Sequence, residues 1–553
     1  MDATRALLLP RTDGAVPGVV DFRGGPAPRA STGIFPTSTG RWSAAMFVLG
    51  VEIAERFAYH GVSVNFISYL TGPLGESTAG AAAAMNAWSG VAMMLPLLVA
   101  CIADAWLRRF RTIVLASVLF VVSMGMLTLS SALPVFHSDW CTSFTLLSGA
   151  CSSSPVQVTI FYISLYLVAL AEAEHKPCAQ AFGADQFNQH HPDESVSRSS
   201  FFNWWYFGMC SGIAATTMAS SYIQDNIGWG LGFGIPCLIM VFALAMFLLG
   251  TRRYRYYTST QSSPFARLAR AFVTLLKGSK SSQCAKYDHS SSIISRLKST
   301  SSTLAGEDGE FNAEHREEVR GLLRLFPIWA TCIIYVVIFS QSSTFFTKQA
   351  ATLDRRIGAT FRVPPAALQT FISLTIITFI PVYDRLFVPA ARRFTRLSSG
   401  ITMLQRIGTG LVLALVAMVV AALVEARRLG VAREAGLVDD PKAALPMSLW
   451  WMVPQYVLFG LSDVFAMIGL QEFFYDQVPD ALRSLGLAFF LSIFGVGHFL
   501  SSFLISAIDG ATKKGGASWF SNNLNRAHLD YFYWLLARLI QQNAGGFVRK
   551  SVR

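Results

Sequence analysis

Residues 44–70 read AAMFVLGVEIAERFAYHGVSVNFISYL. An apolar stretch of this length crosses a ~30 Å hydrocarbon core as a helix, for which ~20 residues suffice. Glu52, Glu55 and Arg56 stand near its centre. An ionisable side chain at that depth costs ~2.5–3.5 kcal/mol even on the lenient insertion scale, so such residues are functional candidates. The three occupy i, i+3 and i+4 and share one helix face. With two carboxylates near one guanidinium, one acid stays ionised against Arg56 while the other is pushed toward protonation. The set is either a proton-binding switch or a structural ion pair tying helices together; spacing alone leaves both open.

The rest of the 553-residue chain reads for the same solvent. Hydrophobic residues make 52% and charged residues 14%, against about 25% charged in soluble domains. That is too little charge to coat a soluble exterior, which excludes an ordinary soluble enzyme, a disordered chain and a fibre. Apolar runs recur at 44–70, 79–103, 112–133, 158–182, 200–223 and 229–249, then at 322–346, 365–387, 402–424, 447–471 and 484–508. Helices follow because each segment must satisfy its own backbone in lipid. A twelfth run near 528–541 is short: Gln541-Gln542-Asn543-Ala544-Gly545-Gly546 ends its pattern. Its eight to ten apolar residues are too few for the membrane at 1.5 Å each. The expected fold is therefore an all-α membrane protein of two six-helix halves with a truncated last helix. The expected boundaries are a cytosolic tail at 1–42, a bundle at 43–250, a basic linker at 251–320, a bundle at 321–541 and a tail at 542–553.

The net charge of +12 is concentrated. Residues 251–300 hold ten Lys or Arg and one acid, Asp288. Between two membrane blocks this reads as a cytosolic loop under the positive-inside rule rather than a nucleic-acid surface. Asp104 with Arg108-Arg109-Phe110, and Asp384-Arg385 with Arg392-Arg393-Phe394, follow the second and eighth spans. These acid–arginine clusters resemble the cytosolic loop motif of the major facilitator superfamily. The eight cysteines and nine histidines show no metal-ligand spacing. Cys141 and Cys151 share a polar loop and pair if it faces an oxidising lumen. Asp2 with Leu7, Leu8 and Leu9 has the form of a dileucine sorting signal.

Two further charge groups interrupt the spans. The fourth ends Glu172-Ala173-Glu174-His175-Lys176, and the tenth contains Ser462-Asp463, with Glu472 beyond. A Lys176–Asp463 bridge would latch the halves; neutralisation of Lys176 by Glu172, one turn away, is the alternative. Here the residues meet a family. Glu52-x-x-Glu55-Arg56-Phe57-x-Tyr59, Phe182-Gly183-Ala184-Asp185-Gln186-Phe187 and Phe201-Phe202-Asn203-Trp204-Trp205-Tyr206 resemble the signatures of the proton-coupled oligopeptide transporters. Glu472-Phe473-Phe474-Tyr475-Asp476-Gln477-Val478-Pro479 and Trp519-Phe520-Ser521-Asn522-Asn523-Leu524-Asn525 are similar to its plant nitrate/peptide branch. The resemblance spans roughly residues 20–535 and implies the major facilitator fold, working by alternating access around a central cavity. It implies proton-driven import, with Glu52, Glu55 and Arg56 in proton coupling. It matches Lys176 and Asp463 to the family's interbundle salt bridge, and Lys176 to the anionic group of a substrate.

Several positions depart from that pattern. Glu172 and Glu174 stand where small residues are usual, and His60 replaces the usual tyrosine. Phe339 occupies the place of a histidine in a nitrate-binding relative. Phe339 and Ser343 are expected to line the cavity with Tyr59, His60 and Trp204; ordinary helix packing is the alternative. Thr112 matches a position phosphorylated in a nitrate-transporting relative, or serves as a helix cap. The sequence thus predicts a symporter of a small solute, nitrate or di- and tripeptides by family default, in a plant plasma or vacuolar membrane. No cofactor beyond the proton gradient, no metal, no enzymatic activity and no nucleic-acid partner is expected. A fold-retaining sensor and a transporter of hormones or specialised metabolites are the rivals. Oligomeric state is not legible.

Overall fold

A computed structural model describes residues 15–20, 26–28, 39–106, 109–132, 155–188, 192–257, 325–358, 361–395, 401–441, 443–476, 483–513 and 518–552. Twelve long helices occupy these residues. They are α1 (Arg41–Ser63), α2 (Thr78–Trp106), α3 (Arg109–Ala132), α4 (Pro155–Ala184), α5 (Pro192–Asn226) and α6 (Trp229–Leu249). Then come α7 (Leu325–Ala351), α8 (Pro365–Arg393), α9 (Met403–Glu434), α10 (Val453–Asp476), α11 (Arg483–Lys513) and α12 (Leu529–Val552). Among the described residues, α3, α4 and α6 to α11 each hold a segment long and apolar enough to cross a membrane. α1 falls short because Glu52, Glu55 and Arg56 sit inside it.

The helices form two six-helix bundles. In the first, α1 packs on α4, α5 and α6, while α3 packs on α4 and α6. In the second, α9 packs on α10 and α12, and α10 on α8 and α11. The bundles meet along α2–α11 and α5–α8. Gly410 on α9 lies against the Ala466 backbone, where a Cβ has no room. That close approach lets Ser462 Oγ donate to Gly410 O at 2.7 Å. The basic segment expected at 251–320, like Cys141, Cys151 and the dileucine, falls largely or wholly outside the described residues.

α12 differs from expectation. It runs 24 residues, about 36 Å at 1.5 Å per residue. Among its described side chains, Leu529, Phe532, Tyr533, Leu536, Ala537 and Ile540 form a buried stripe. The helix continues because Gln, Arg and Lys are good helix formers, and an interior glycine costs only ~1 kcal/mol. Polarity was therefore a poor guide to where the helix stops.

The end of the first bundle beside the basic segment is knotted by ion pairs. The tail strand β1 (Ala15–Val20) pairs antiparallel with β2 (Pro26–Pro28) and with β3 (Tyr256–Tyr257), just past α6. Gly40, at φ +81°, turns the chain into α1 over the Arg255 side chain. Buried Arg255 donates to Glu194 Oε2 at 2.7 Å and to Gln186 O at 3.1 Å. Arg41 Nε lies 2.9 Å from Glu194 Oε1, and the Asn188 amide donates to Oε2 at 2.7 Å. Burial alone raises the Glu194 carboxyl, but the hydrogen bonds from Arg255, Asn188 and Arg41 outweigh it and hold the group at about 2. A depressed folded value stabilises above the ordinary 4.5 and is lost as pH falls toward 2. Thermal stability is therefore expected to fall as pH drops across that window in the native chain, and Glu194→Gln is expected to flatten the profile while lowering stability at neutral pH. An unchanged slope in the variant would assign the acid sensitivity elsewhere.

The opposite, distal end joins the two bundles. Lys348 Nζ donates to Thr71 Oγ1 at 2.9 Å, and Gln369 Nε2 to Val64 O at 3.1 Å. Asp225 accepts from Asn65 at 3.0 Å and lies 3.5 Å from Arg355. The amide of Thr78, which opens α2, donates to Asn522 Oδ1 of the second bundle at 2.9 Å. Deeper in the seam, Asn86 donates to Ser501 at 3.1 Å, and Ser501 reaches Ser340 at 2.9 Å. Ser340–Ser342 form a 3₁₀ turn that interrupts α7.

Candidate functional site

The charged face of α1 meets α4 in the middle of the first bundle. Arg56 sits among three carboxylates and reaches each with a different nitrogen. Nη2 is 2.6 Å from Glu55 Oε2, Nη1 is 2.9 Å from Glu172 Oε1, and Nε is 3.6 Å from Glu52 Oε1. His175 Nδ1 approaches Glu52 Oε2 at 3.8 Å and meets the ring of Phe120 edge-on. Relative exposure is 1% for Glu52, 0% for Glu55, 2% for Arg56, 4% for Glu172 and 0% for His175. One guanidinium therefore faces three acids where water does not reach. The burden of unbalanced charge in such a place is several kcal/mol per ion.

The α1 triad thus comes together as its spacing predicts. Glu172, one of the two candidate partners of Lys176 in the sequence, has a described ion pair with Arg56 on another helix. His175 was not expected in the site. The signal was present, since Glu172 and His175 stand three apart and so share a face. Oxygen and nitrogen atoms of Glu52, Glu55 and His175 lie within 4.8 Å of one another, a spacing that admits a cation. Arg56 already supplies a positive charge there, 2.6 Å from Glu55.

Other expected positions separate. Tyr59 is buried one turn beyond the cluster, stacked on Trp88 at 5.4 Å, with His60 edge-on to it. Phe339 on α7 lies parallel to Tyr335 and edge-on to Phe459, both at 6.4 Å. Ser343 Oγ donates to Ser340 O at 3.3 Å, within its own helix. Trp204 is 55% exposed on α5, whereas its neighbour Trp205 is the buried one. Thr112 is fully buried in the first turn of α3, so a kinase reaches it only if that turn opens. Asp463 on α10 is buried and accepts a hydrogen bond from the Tyr335 hydroxyl of α7. Tyr335 was missed by the sequence reading, although it stands one turn before Phe339. Lys176 lies in α4, but its side chain is outside the described residues, and so is its bridge to Asp463.

The comparisons with known proteins fit this geometry. A sequence profile of the POT family matches residues 110–520. Protein NRT1/PTR FAMILY 5.10 of Arabidopsis thaliana is 55% identical over 529 residues, covering 94% of this chain and 93% of its own length. Protein NRT1/PTR FAMILY 5.14 of Arabidopsis thaliana is 49% identical over 536 residues, with the same coverage. Among solved structures, an auto-inhibited POT family peptide transporter aligns with a TM-score of 0.67 at 20% identity, covering 92% of this chain and 97% of its own. The POT family transporter PepTSo aligns at 0.66 and 19%, covering 92% and 98%. The chain is therefore a multi-pass membrane protein with the transporter fold, and it belongs to the POT family, in its plant NRT1/PTR branch.

Proposed function

We propose that the protein is a proton-coupled symporter that imports a small solute, such as nitrate or di- and tripeptides, across a plant plasma or vacuolar membrane by alternating access. The observation that carries this reading is the sealed cluster of Glu52, Glu55, Arg56 and Glu172. Three carboxylates around one guanidinium leave excess negative charge, and proton uptake relieves it. In the proposed cycle Glu52 or Glu55 takes a proton from the distal side. Substrate then engages Lys176, the Lys176–Asp463 bridge rearranges, and the bundles rock along α2–α11 and α5–α8. The distal contacts favour an inward-facing state for the present structure.

The test is acid-stimulated uptake in oocytes over a panel of solutes. Glu55→Gln is expected to remove the acid stimulation, and Lys176→Ala to weaken uptake of anionic solutes selectively. Intact acid stimulation in Glu55→Gln would falsify the coupling role. The second reading of the substrate is a hormone or specialised metabolite: Phe339, where a nitrate-binding relative has histidine, packs against Tyr335 and Phe459. The non-transporting sensor remains the rival: α12 runs 24 residues, but it is not among the described helices that are long and apolar enough to cross a membrane.

A further inference from the structure

His175 is fully buried, and neither of its ring nitrogens has a hydrogen-bond partner among the described residues. A buried polar group left in that condition ordinarily costs ~1–3 kcal/mol. Its surroundings are charged. From α1 it faces Glu52 and Arg56, with Glu55 within 4.8 Å, and on its own helix it faces Glu172. From α3 it meets the uncharged ring of Phe120. Arg56 already supplies the positive charge of this place, so the ring is left to exchange a proton, which imidazole does readily near neutral pH.

Glu52 is the acid from which the ring can take one. It is the loosest of the three carboxylates around Arg56, at 3.6 Å against 2.6 and 2.9 Å. Arg56 approaches its Oε1, whereas Oε2 lies 3.8 Å from His175 Nδ1. A hydrogen bond spans ~2.7–3.2 Å, so an approach of about 1 Å joins acid and ring. The helix directions give this contact a sense. α1 starts at the knot of Arg41 and Glu194 and runs toward the distal end, while α4 ends beside Gln186 and Asn188 at the same knot. Glu52 stands three residues before Glu55, and His175 three after Glu172. Each is therefore about 4.5 Å nearer the knot than its neighbour. Glu55, Arg56 and Glu172 make a distal tier, and Glu52 and His175 the tier beneath it.

We infer that His175 is the exit relay of the cluster, taking a proton from Glu52 and releasing it toward the end that carries the basic segment, an inference that rests on the proton-coupled reading. The ring starts neutral, with its hydrogen on Nε2. The Glu52 Oε2–H bond breaks and an Nδ1–H bond forms, leaving a carboxylate and an imidazolium. The imidazolium passes that proton to water, and the neutral ring returns.

Rapid-mixing infrared spectroscopy of the full chain in lipid vesicles tests this with the proton as the only probe. Protein equilibrated in acid is mixed with neutral buffer, and the carbonyl stretch of protonated carboxyls is followed as it decays. The part of that band absent from Glu52→Gln belongs to Glu52. His175→Gln, which cannot carry a proton, is expected to keep the amplitude of that part and to slow its decay about a hundredfold, the low end of what a positioned acid–base group contributes. A side chain that only packs would not slow the decay at constant amplitude. If His175→Gln does not fold, the native sequence with ring-labelled histidine decides. A transient histidine band is expected during the decay, and it is expected to be missing from Glu52→Gln. Unchanged decay or a lost amplitude in folded His175→Gln overturns the relay, as does a transient histidine band that is absent or survives Glu52→Gln. A band that falls in Glu55→Gln but not in Glu52→Gln overturns the relay and leaves proton coupling standing. A band that neither variant changes overturns both.

Discussion

Arg56→Ala is expected to abolish acid-driven uptake and to remove about 3–5 kcal/mol of stability, the usual consequence of leaving buried charge without its partner. The geometry explains why the effect should be so large. Arg56 touches Glu55, Glu172 and Glu52 through three separate nitrogens, so one substitution strands three acids. Arg56→Lys should fare little better, because an ammonium is a point charge and cannot reach in three directions as a guanidinium does. Adding Glu55→Gln and Glu172→Gln to Arg56→Ala should recover much of the stability but none of the transport. Heating followed by size-exclusion chromatography reads the first quantity, and oocyte uptake reads the second. Normal melting and normal uptake in Arg56→Ala would show that the cluster carries neither fold nor coupling.

A second large effect is expected in the other bundle, at Arg428→Ala. Glu425 and Arg428, one turn apart on α9, are both at 0% exposure. Arg428 donates to the two Glu425 oxygens at 2.6 and 2.7 Å, to Leu524 O at 2.7 Å and to Asn525 Oδ1 at 2.8 Å. Asn525 and Asn523 in turn hold Leu437 O and Val438 O beyond α9. The pair therefore fastens the connection between α11 and α12 to the distal end of the bundle. Removing Arg428 alone should cost about 3–5 kcal/mol, because Glu425 stays buried. Glu425→Leu with Arg428→Leu should cost less, since an apolar pair of similar volume is often neutral. Melting temperatures of the three variants check the order. A double variant less stable than Arg428→Ala would mean that the charges, not the packing, hold this end.

Much of the architecture was legible from apolar runs, because lipid leaves helices as the way to satisfy the backbone. The run at 44–70 nevertheless hid a break. α1 stops at Ser63, and a separate short helix covers Phe66–Thr71, since hydropathy does not register a change of helix direction. The 3₁₀ turn at Ser340–Ser342 escaped for the same reason. Within the site, Glu52, Glu55 and Arg56 were readable from spacing on one helix. Glu172 was considered only as an alternative partner of Lys176, because sequence spacing ranks neighbours on the same helix and is blind to those on the next, where Arg56 lies. Tyr335 as a partner of Asp463 was hidden likewise, since 128 residues separate them.

Asn522 belongs to one bundle, yet it satisfies the first amide of α2 in the other. Whenever the distal end parts, that N–H must find another acceptor, and a solvent molecule arriving through the opening can serve. The exchange swaps one hydrogen bond for another of similar strength. A clasp of this kind specifies where the two halves meet while adding little resistance to their separation, so reversibility is built into the motif.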